Sequence, residues 1–563
     1  MNRLALGVVL ALVLPAVAVG GMLVNAHVLN PGQVLCWLAL LASLTASGGY
    51  LLAMLHGSPR GHAIGETAFR VQWAALFGGV VFLWWILFHR MFQYQYVHDY
   101  TSLAMPLHFV YAAFWGGQEG TFLLWAFITA TLGLILQRNR SAHAPAILFF
   151  TNLPLVMLTL VSVIRGPFLP ATEVYTDGVG LNPLLQDYWM TIHPPILFTG
   201  FSSFVVPFAV ACAALVNRDY DGWIKPVLPW VVFSTAIQAT GFIMGGVWAY
   251  KVLGWGGYWG WDPVENGSLI PWLCNVALLH GLLVQRVTGS LRRTNFFLAI
   301  TSYVLVLYAS FLTRSGVLAD FSVHSFANLG LTGFLLAFLG IVGVGGYLLL
   351  LFRMRDIPAP AQPLGNVSRE SFLWLGQLVF LLMCALVTVG MSAPLITKLF
   401  GPPSNVQTSY YNLVNAPLAV AMGLLLGIAP LLRWREHEVH AMLRAALPSA
   451  LFALVFSLAA FLMGVRDLMP ALVLYAMAFA LAANAVVTVR GFRASWKHGV
   501  AYLGHMGVSV LLIGVIASSQ LDLLRTARAR GVPTAVSVWS WDHLSSKALI
   551  RDPPDRVLVW NEV

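Results

Sequence analysis

The sequence predicts an all-α polytopic integral membrane protein of about fifteen transmembrane helices. Of its 563 residues, 59% are hydrophobic and only 9% are charged, and the mean hydropathy is +0.79. Soluble proteins carry roughly 25% charged residues, so an arrangement of water-soluble domains is excluded. Apolar runs close to the ~20 residues that cross a bilayer recur along the whole chain. The basic residues collect in alternate connections between those runs, as the positive-inside rule requires.

In order, the runs cover 4–24, 33–55, 69–89, 119–136, 145–164, 194–215, 226–248, 268–285, 295–313, 329–352, 371–390, 413–432, 446–464, 467–489 and 498–517. The first follows Arg3 and contains Pro-Ala-Val-Ala-Val-Gly-Gly. It reads as an uncleaved helix, with a signal peptide as the alternative; cleavage would leave the topology downstream unchanged. Residues 1–517 are thus expected to form a transmembrane bundle, and 518–563 an extracytoplasmic tail that is poorly ordered at its end.

Orientation follows from Lys and Arg. With the N-terminus inside, nineteen of the 31 basic residues lie on the inner side. Only Arg90, Arg165, Lys251, Arg314, Lys398 and Arg466 fall in outer connections, and the last six lie in the tail. The net charge of +10 therefore reflects loops facing a membrane surface, and no nucleic-acid partner is expected. Cys36, Cys212, Cys274 and Cys384 are scattered singly in apolar runs without a CxxC. They read as small buried hydrophobes rather than redox or haem-attachment groups.

The outer connections 91–118, 166–193, 249–267, 314–328 and 391–412 are long and rich in Trp, Tyr, Gly and Pro, whereas the inner loops are short and basic. Function is expected on the outside. The strongest signal there is Trp255-Gly-Gly-Tyr-Trp-Gly-Trp-Asp-Pro-Val-Glu-Asn-Gly-Ser268. Its aromatics, spaced by glycines, suit a flat platform. An interfacial aromatic belt needs neither the glycines nor the Trp-Asp-Pro-Val-Glu-Asn that follows.

WGGYWGWDPVEN resembles the tryptophan-rich signature of haem-handling proteins in cytochrome c biogenesis. VYAAFWGGQEGTFLLW (110–125), GLNPLLQDYWMTIHPPILFTG (180–200), WDPVENGSLIPWLCNVALLH (261–280) and FLTRSGVLADFSVHSFA (311–327) are similar to one group, the CcmF family of haem-lyase subunits. The resemblance covers residues 90–330, with the platform at 249–268, and again about 498–515. Tyr258 and Gly260 depart from the family's large aromatics. The family also has a longer outer domain after the last helix seen here and one further helix.

The resemblance implies a haem lyase of the holocytochrome c synthase type in the bacterial plasma (inner) membrane. Haem would arrive from a periplasmic chaperone of the CcmE type. Its vinyls would add the two thiols of a CxxCH motif in apocytochrome c, with a thiol-handling subunit of the CcmH type as partner. No catalytic residue is assigned, since the protein's part is orientation. His193 and His324 flank the Trp-rich segment on the outer side, and neutral imidazoles ligate haem iron. The resemblance makes them the axial ligands of the haem awaiting transfer, with Trp255, Tyr258, Trp259, Trp261 and Asp262 as its platform.

His280 and His505 form a second pair. His280 lies six residues before Arg286 and His505 eight after Lys497, roughly 9 and 12 Å from the inner boundary at 1.5 Å per residue. Histidines in a membrane interior are functional candidates. The resemblance agrees, implying a stable haem b there; that this haem passes electrons to the outer haem's iron is a separate hypothesis. Arg165, Lys251 and Arg314 fit haem propionates or lipid headgroups equally well. His108 and Glu119 receive no role. A haem exporter or relay is the alternative function. An ion-coupled transporter is disfavoured by the scarcity of mid-helix carboxylates and lysines.

Overall fold

The computed structural model describes residues 30–139, 141–253, 257–318, 330–359, 365–435 and 438–520, with two short strands beyond them. The run at 4–24 lies outside the described residues. Among these, fourteen helices are long and apolar enough to cross a membrane, one for each remaining run. The chain divides into two compact units. One comprises Met1–Trp248, Asp262–Leu282 and Arg292–Ala359, the other Ala249–Trp261, Leu283–Leu291 and Pro360–Val563.

In the first unit, α1 (Pro31–His56) and α2 (Pro59–Phe88) form a hairpin. Asn30 and Gln33 make a reciprocal capping box at its start, and Gly57, at φ 61°, turns the chain before Ser58 caps α2. A Cβ on Gly49 would lie 2.6 Å from the Gly65 nitrogen. Such backbone contact between small residues is how apolar helices associate in lipid, where no hydrophobic force drives them together.

The connection after α2 folds as α3 (Gln95–Tyr100) and α4 (Leu107–Ala113). Arg90 clasps it by donating to the carbonyls of Leu87, Ser102 and Met105 at 2.9–3.1 Å. Burial lowers this guanidinium from its ordinary value, with Asp177 acting against the shift. Burial also raises the Tyr96 phenol well above its usual value. It therefore stays a donor, to the carbonyls of Ala113 and Phe114.

The unit continues through α5 (Gln118–Leu136), α6 (Ala144–Ile164), α7 (Tyr188–Ser203) and α8 (Val205–Asn217). Then follow α9 (Ile224–Val252), α10 (Pro263–Thr288), α11 (Arg292–Arg314) and α12 (Thr332–Arg353). Buried amides join neighbours across the apolar interior. Asn152 donates to the Ser43 carbonyl and Ser47 Oγ, and Asn275 to Ser234 and Thr235.

The second unit holds α13 (Arg369–Met391), the short α14 (Ala393–Thr397), α15 (Thr408–Ile428), α16 (Val439–Met463), α17 (Leu468–Ala494) and α18 (Trp496–Gln520). Buried Glu370 fastens the chain after α15, since both of its oxygens accept from the Arg435 amide at 2.8–2.9 Å. Leu454, Val455, Leu458 and Leu462 of α16 stay exposed, as lipid-facing positions should. In the tail, β1 (Ala535–Val538) pairs in parallel with β2 (Arg556–Val559), the only departure from helix among these elements.

Candidate haem-handling site

His193 sits on the second turn of α7, not at its opening as the apolar run suggested. The helix starts at Tyr188 because Asp187 caps it, accepting from the Trp189 amide at 2.8 Å. Pro194 lacks the N–H that would bond the Met190 carbonyl four residues back. The Trp115 indole takes that carbonyl at 2.9 Å, so the turn is kept. Upstream, Asn182 caps a 3-10 turn over Pro183–Leu185, and Trp248 donates to the Leu184 carbonyl at 3.2 Å. The half-buried His193 ring lies along Trp248, with centroids 5.9 Å apart and planes 22° from parallel. Gly245 makes room for it, since a Cβ there would stand 3.2 Å from Nδ1. Two indoles from distant segments thus hold the histidine-bearing turn.

The Trp-rich segment belongs to the second unit as far as Trp261. Its aromatics pair with partners that sequence reasoning missed. Tyr258 stacks on Tyr250 at 4.4 Å and 10°. Trp261 stacks on Tyr411 at 5.1 Å and 9°, and its indole donates to Asn412 Oδ1 at 2.8 Å. Trp259 meets Trp261 edge-on at 6.1 Å. Trp261 has φ 55°, a left-handed conformation that bulky residues adopt only when the surroundings impose it. The faces are therefore organised, although Tyr258 and Trp261 each give one side to another ring. Trp255 and His324 lie outside the described residues.

Asp262 heads α10 in the first unit, and its Oδ1 accepts from the Val264 amide at 2.9 Å. Its own amide donates to Glu265 Oε2. It is a capping carboxylate that shapes the turn.

His280 projects from α10, and its Nδ1 lies 2.8 Å from the Val276 carbonyl. A carbonyl only accepts, so Nδ1 carries the proton and the lone pair sits on Nε2. On α18, in the second unit, His505 Nδ1 lies 3.1 Å from Asn484 Oδ1. The Asn484 amide nitrogen donates to the Leu426 and Ala480 carbonyls, which fixes Oδ1 as the acceptor toward histidine. The same tautomer follows. An imidazole whose Nδ1–H is tied to oxygen is the form that iron ligands take, so each residue fits axial ligation of haem.

Among the three basic candidates, Arg165 and Lys251 are exposed. Arg314 is buried, 5% exposed. It donates to Thr121 Oγ1 at 2.7 Å and lies over the Phe122 ring at 4.6 Å. Glu119, unassigned from the sequence, stands in the first turn of α5. His108 is exposed against Phe109.

Comparison with known proteins places this geometry in a family. The family model described as cytochrome C assembly protein matches residues 115–318. The cytochrome c-type biogenesis protein CcmF of Pseudomonas aeruginosa is 33% identical over 537 residues, covering 88% of this chain and 78% of its own length. That of Escherichia coli is 32% identical, covering 78% and 70%. A solved structure described as cytochrome c heme lyase CcmF matches with a TM-score of 0.72 at 26% identity, over 88% of this chain and 78% of its own. The chain belongs to the CcmF family of cytochrome c-type biogenesis proteins.

Proposed function

We propose that this chain is the haem-lyase subunit of a cytochrome c assembly system, with its working surface on the outside of the bacterial inner membrane. Its substrates are haem delivered by a periplasmic chaperone and the CxxCH segment of apocytochrome c, presented with a thiol-handling subunit. In the reaction each cysteine S–H adds across one vinyl C=C. A C–S bond and a C–H bond form, so no external oxidant is needed. The observation that carries this reading is the shared Nδ1-tethered tautomer of His280 and His505 in a chain of this family.

His193 and His324 would hold the substrate haem by its iron, and Trp255, Tyr258, Trp259 and Trp261 would cover its face. Trp115 and Trp248 keep the His193 turn in place, while Asp262 sets where the platform ends and α10 begins. Arg165, Lys251 and Arg314 are the proposed propionate partners. Arg314 donates to Thr121 Oγ1, and Arg165 and Lys251 are exposed. His280 and His505 would hold a resident haem b, which when bound supplies an electron carrier for the substrate iron.

The test is the absorption spectrum of the purified protein with the yield of holocytochrome c in cells. A low-spin bis-imidazole haem b is expected, lost in His280→Ala and in His505→Ala. His193→Ala should lose holocytochrome but keep that haem. Full Soret and α bands in both membrane-histidine variants would exclude the ligation. Resident haem with no holocytochrome c formed by the wild type would favour a relay.

A further inference from the structure

In the first unit, far along the chain from the haem-site residues, an open cavity of about 520 Å³ lies between α2 and α5. It is lined by Arg70, Trp73, Ala74, Leu134, Gln137 and Arg138. We infer that it binds one anionic phospholipid, with the phosphate between the Arg70 and Arg138 guanidiniums and an acyl chain along α2. This site rests on its own residues and not on the haem reading.

The depth is right for a headgroup. Arg70 stands eleven residues into α2, about 16 Å from its start, and the eighteen residues that follow it suffice to cross the apolar layer. Arg138 lies just past the end of α5. Arg70 Nε donates to Gln137 Oε1 at 3.2 Å, and Arg138, the next residue, lines the same cavity. The Gln137 amide is fixed in turn by buried Tyr50 at 2.9 Å. The Arg138 amide donates to the Ile135 carbonyl, and its guanidinium has no hydrogen bond or ion pair among the described residues. Arg70 shares its charge with Glu66 at 3.3 Å, so the pair of cations is not neutralised.

Below the charges the surface turns apolar in line. Trp73 is one turn further along α2, its indole donating to Thr131 Oγ1 at 3.0 Å. It stacks on Phe77 at 5.4 Å and 4°, and Phe77 and Val81 are 46% and 49% exposed. Residues 73, 77 and 81 share one helix face, so the stripe continues toward the bilayer centre. Phosphate-binding arginines above an interfacial Trp and an apolar stripe are the chemistry of a phospholipid, and basic pockets between helices on the inner side recognise anionic lipids.

The test places the full-length protein in phosphatidylcholine nanodiscs doped with phosphatidylglycerol and counts retained lipid by native mass spectrometry. Phosphatidylglycerol should be retained over phosphatidylcholine. Arg70→Gln/Arg138→Gln should reduce its retention about 30-fold, the equivalent of ~1 kcal/mol per cation. Glu66→Gln should raise retention by freeing Arg70, a gain that a misfolded protein would not give. Arg60→Gln, on α2 but outside the cavity, should leave it unchanged. Equal retention of both lipids, wild-type retention by the double variant, no rise in Glu66→Gln, or an equal loss in Arg60→Gln would overturn the proposal. Displacement of the lipid by inorganic phosphate would reassign the cavity to a free anion and also overturn it.

Discussion

His280 and His505 present the same lone pair but obtain it differently, and the difference is testable. The partner of His280 is a main-chain carbonyl one turn back, which no substitution removes. The partner of His505 is the Asn484 side chain on the neighbouring helix. Asn484→Leu keeps the branching at Cγ and removes the acceptor, so a resident haem should bind 10–100-fold more weakly, the usual effect of losing such a partner. Haem titration with absorbance detection reads this; unaltered affinity would reduce Asn484 to a link between α17 and α15. Similar reasoning applies to the platform. Trp259→Ala removes a face worth ~25 cal/mol per Å², or about 2–3 kcal/mol over ~100 Å², and should weaken haem capture ~50-fold. Trp261→Ala should also loosen the loop, since Tyr411 and Asn412 lose their partner. Capture of the chaperone–haem complex and limited proteolysis of the folded protein separate the two effects. The histidines and tryptophans were legible in the sequence because their chemistry is unusual inside or beside a bilayer. Their supports were not. Asn484 is 21 residues from His505 and Tyr411 is 150 from Trp261, and nothing local ties those positions together.

Helix positions were legible from hydropathy, while helix ends were decided by polar chemistry that hydropathy ignores. The run 194–215 suggests a helix opening at His193, yet α7 starts at Tyr188 through the Asp187 cap and the Trp115 bond to Met190. The same holds for α10, which begins at Pro263 behind Asp262 rather than near 268. α2 starts ten residues before its apolar run because Ser58 and Pro59 initiate it outside the apolar layer. These caps make predictions at the scale of the element. Asp262→Ala should destabilise the start of α10 by about 0.5–2 kcal/mol and lower holocytochrome c yield, while the His280–Val276 bond four turns on is unaffected. Loss of the resident haem in Asp262→Ala would show that the turn also supports the interior. Packing gives a sharper case. Gly49→Val would drive a branched side chain into the backbone of Gly65 and Gly61, 2.6–2.8 Å from its Cβ. The α1–α2 hairpin cannot absorb this, so the variant should fail to accumulate in membranes or unfold at a markedly lower temperature.

Across the whole molecule, the proposed function depends on which side the long aromatic connections face. The proposed orientation rests on nineteen basic residues in the inner segments against six in the outer connections, with six more in the tail, because Lys and Arg resist translocation. Geometry supplies a way to check it. All four native cysteines are buried, so a membrane-impermeant maleimide should label the wild type weakly. Val174, in the connection before α7, is 99% exposed. Ile64, on α2 six residues before Arg70, is 51% exposed. With the aromatic connections outside, Val174→Cys should be labelled in intact spheroplasts, and Ile64→Cys only after the membrane is opened. Both lie in the first unit and are exposed, so holocytochrome c yield should hold near wild type and certify that the labelled molecules are folded. The reverse pattern would put the Trp-rich segment and His193 in the cytoplasm. A haem site facing that way could not receive haem from a periplasmic chaperone, and the lipid cavity at Arg70 would then open on the outer leaflet.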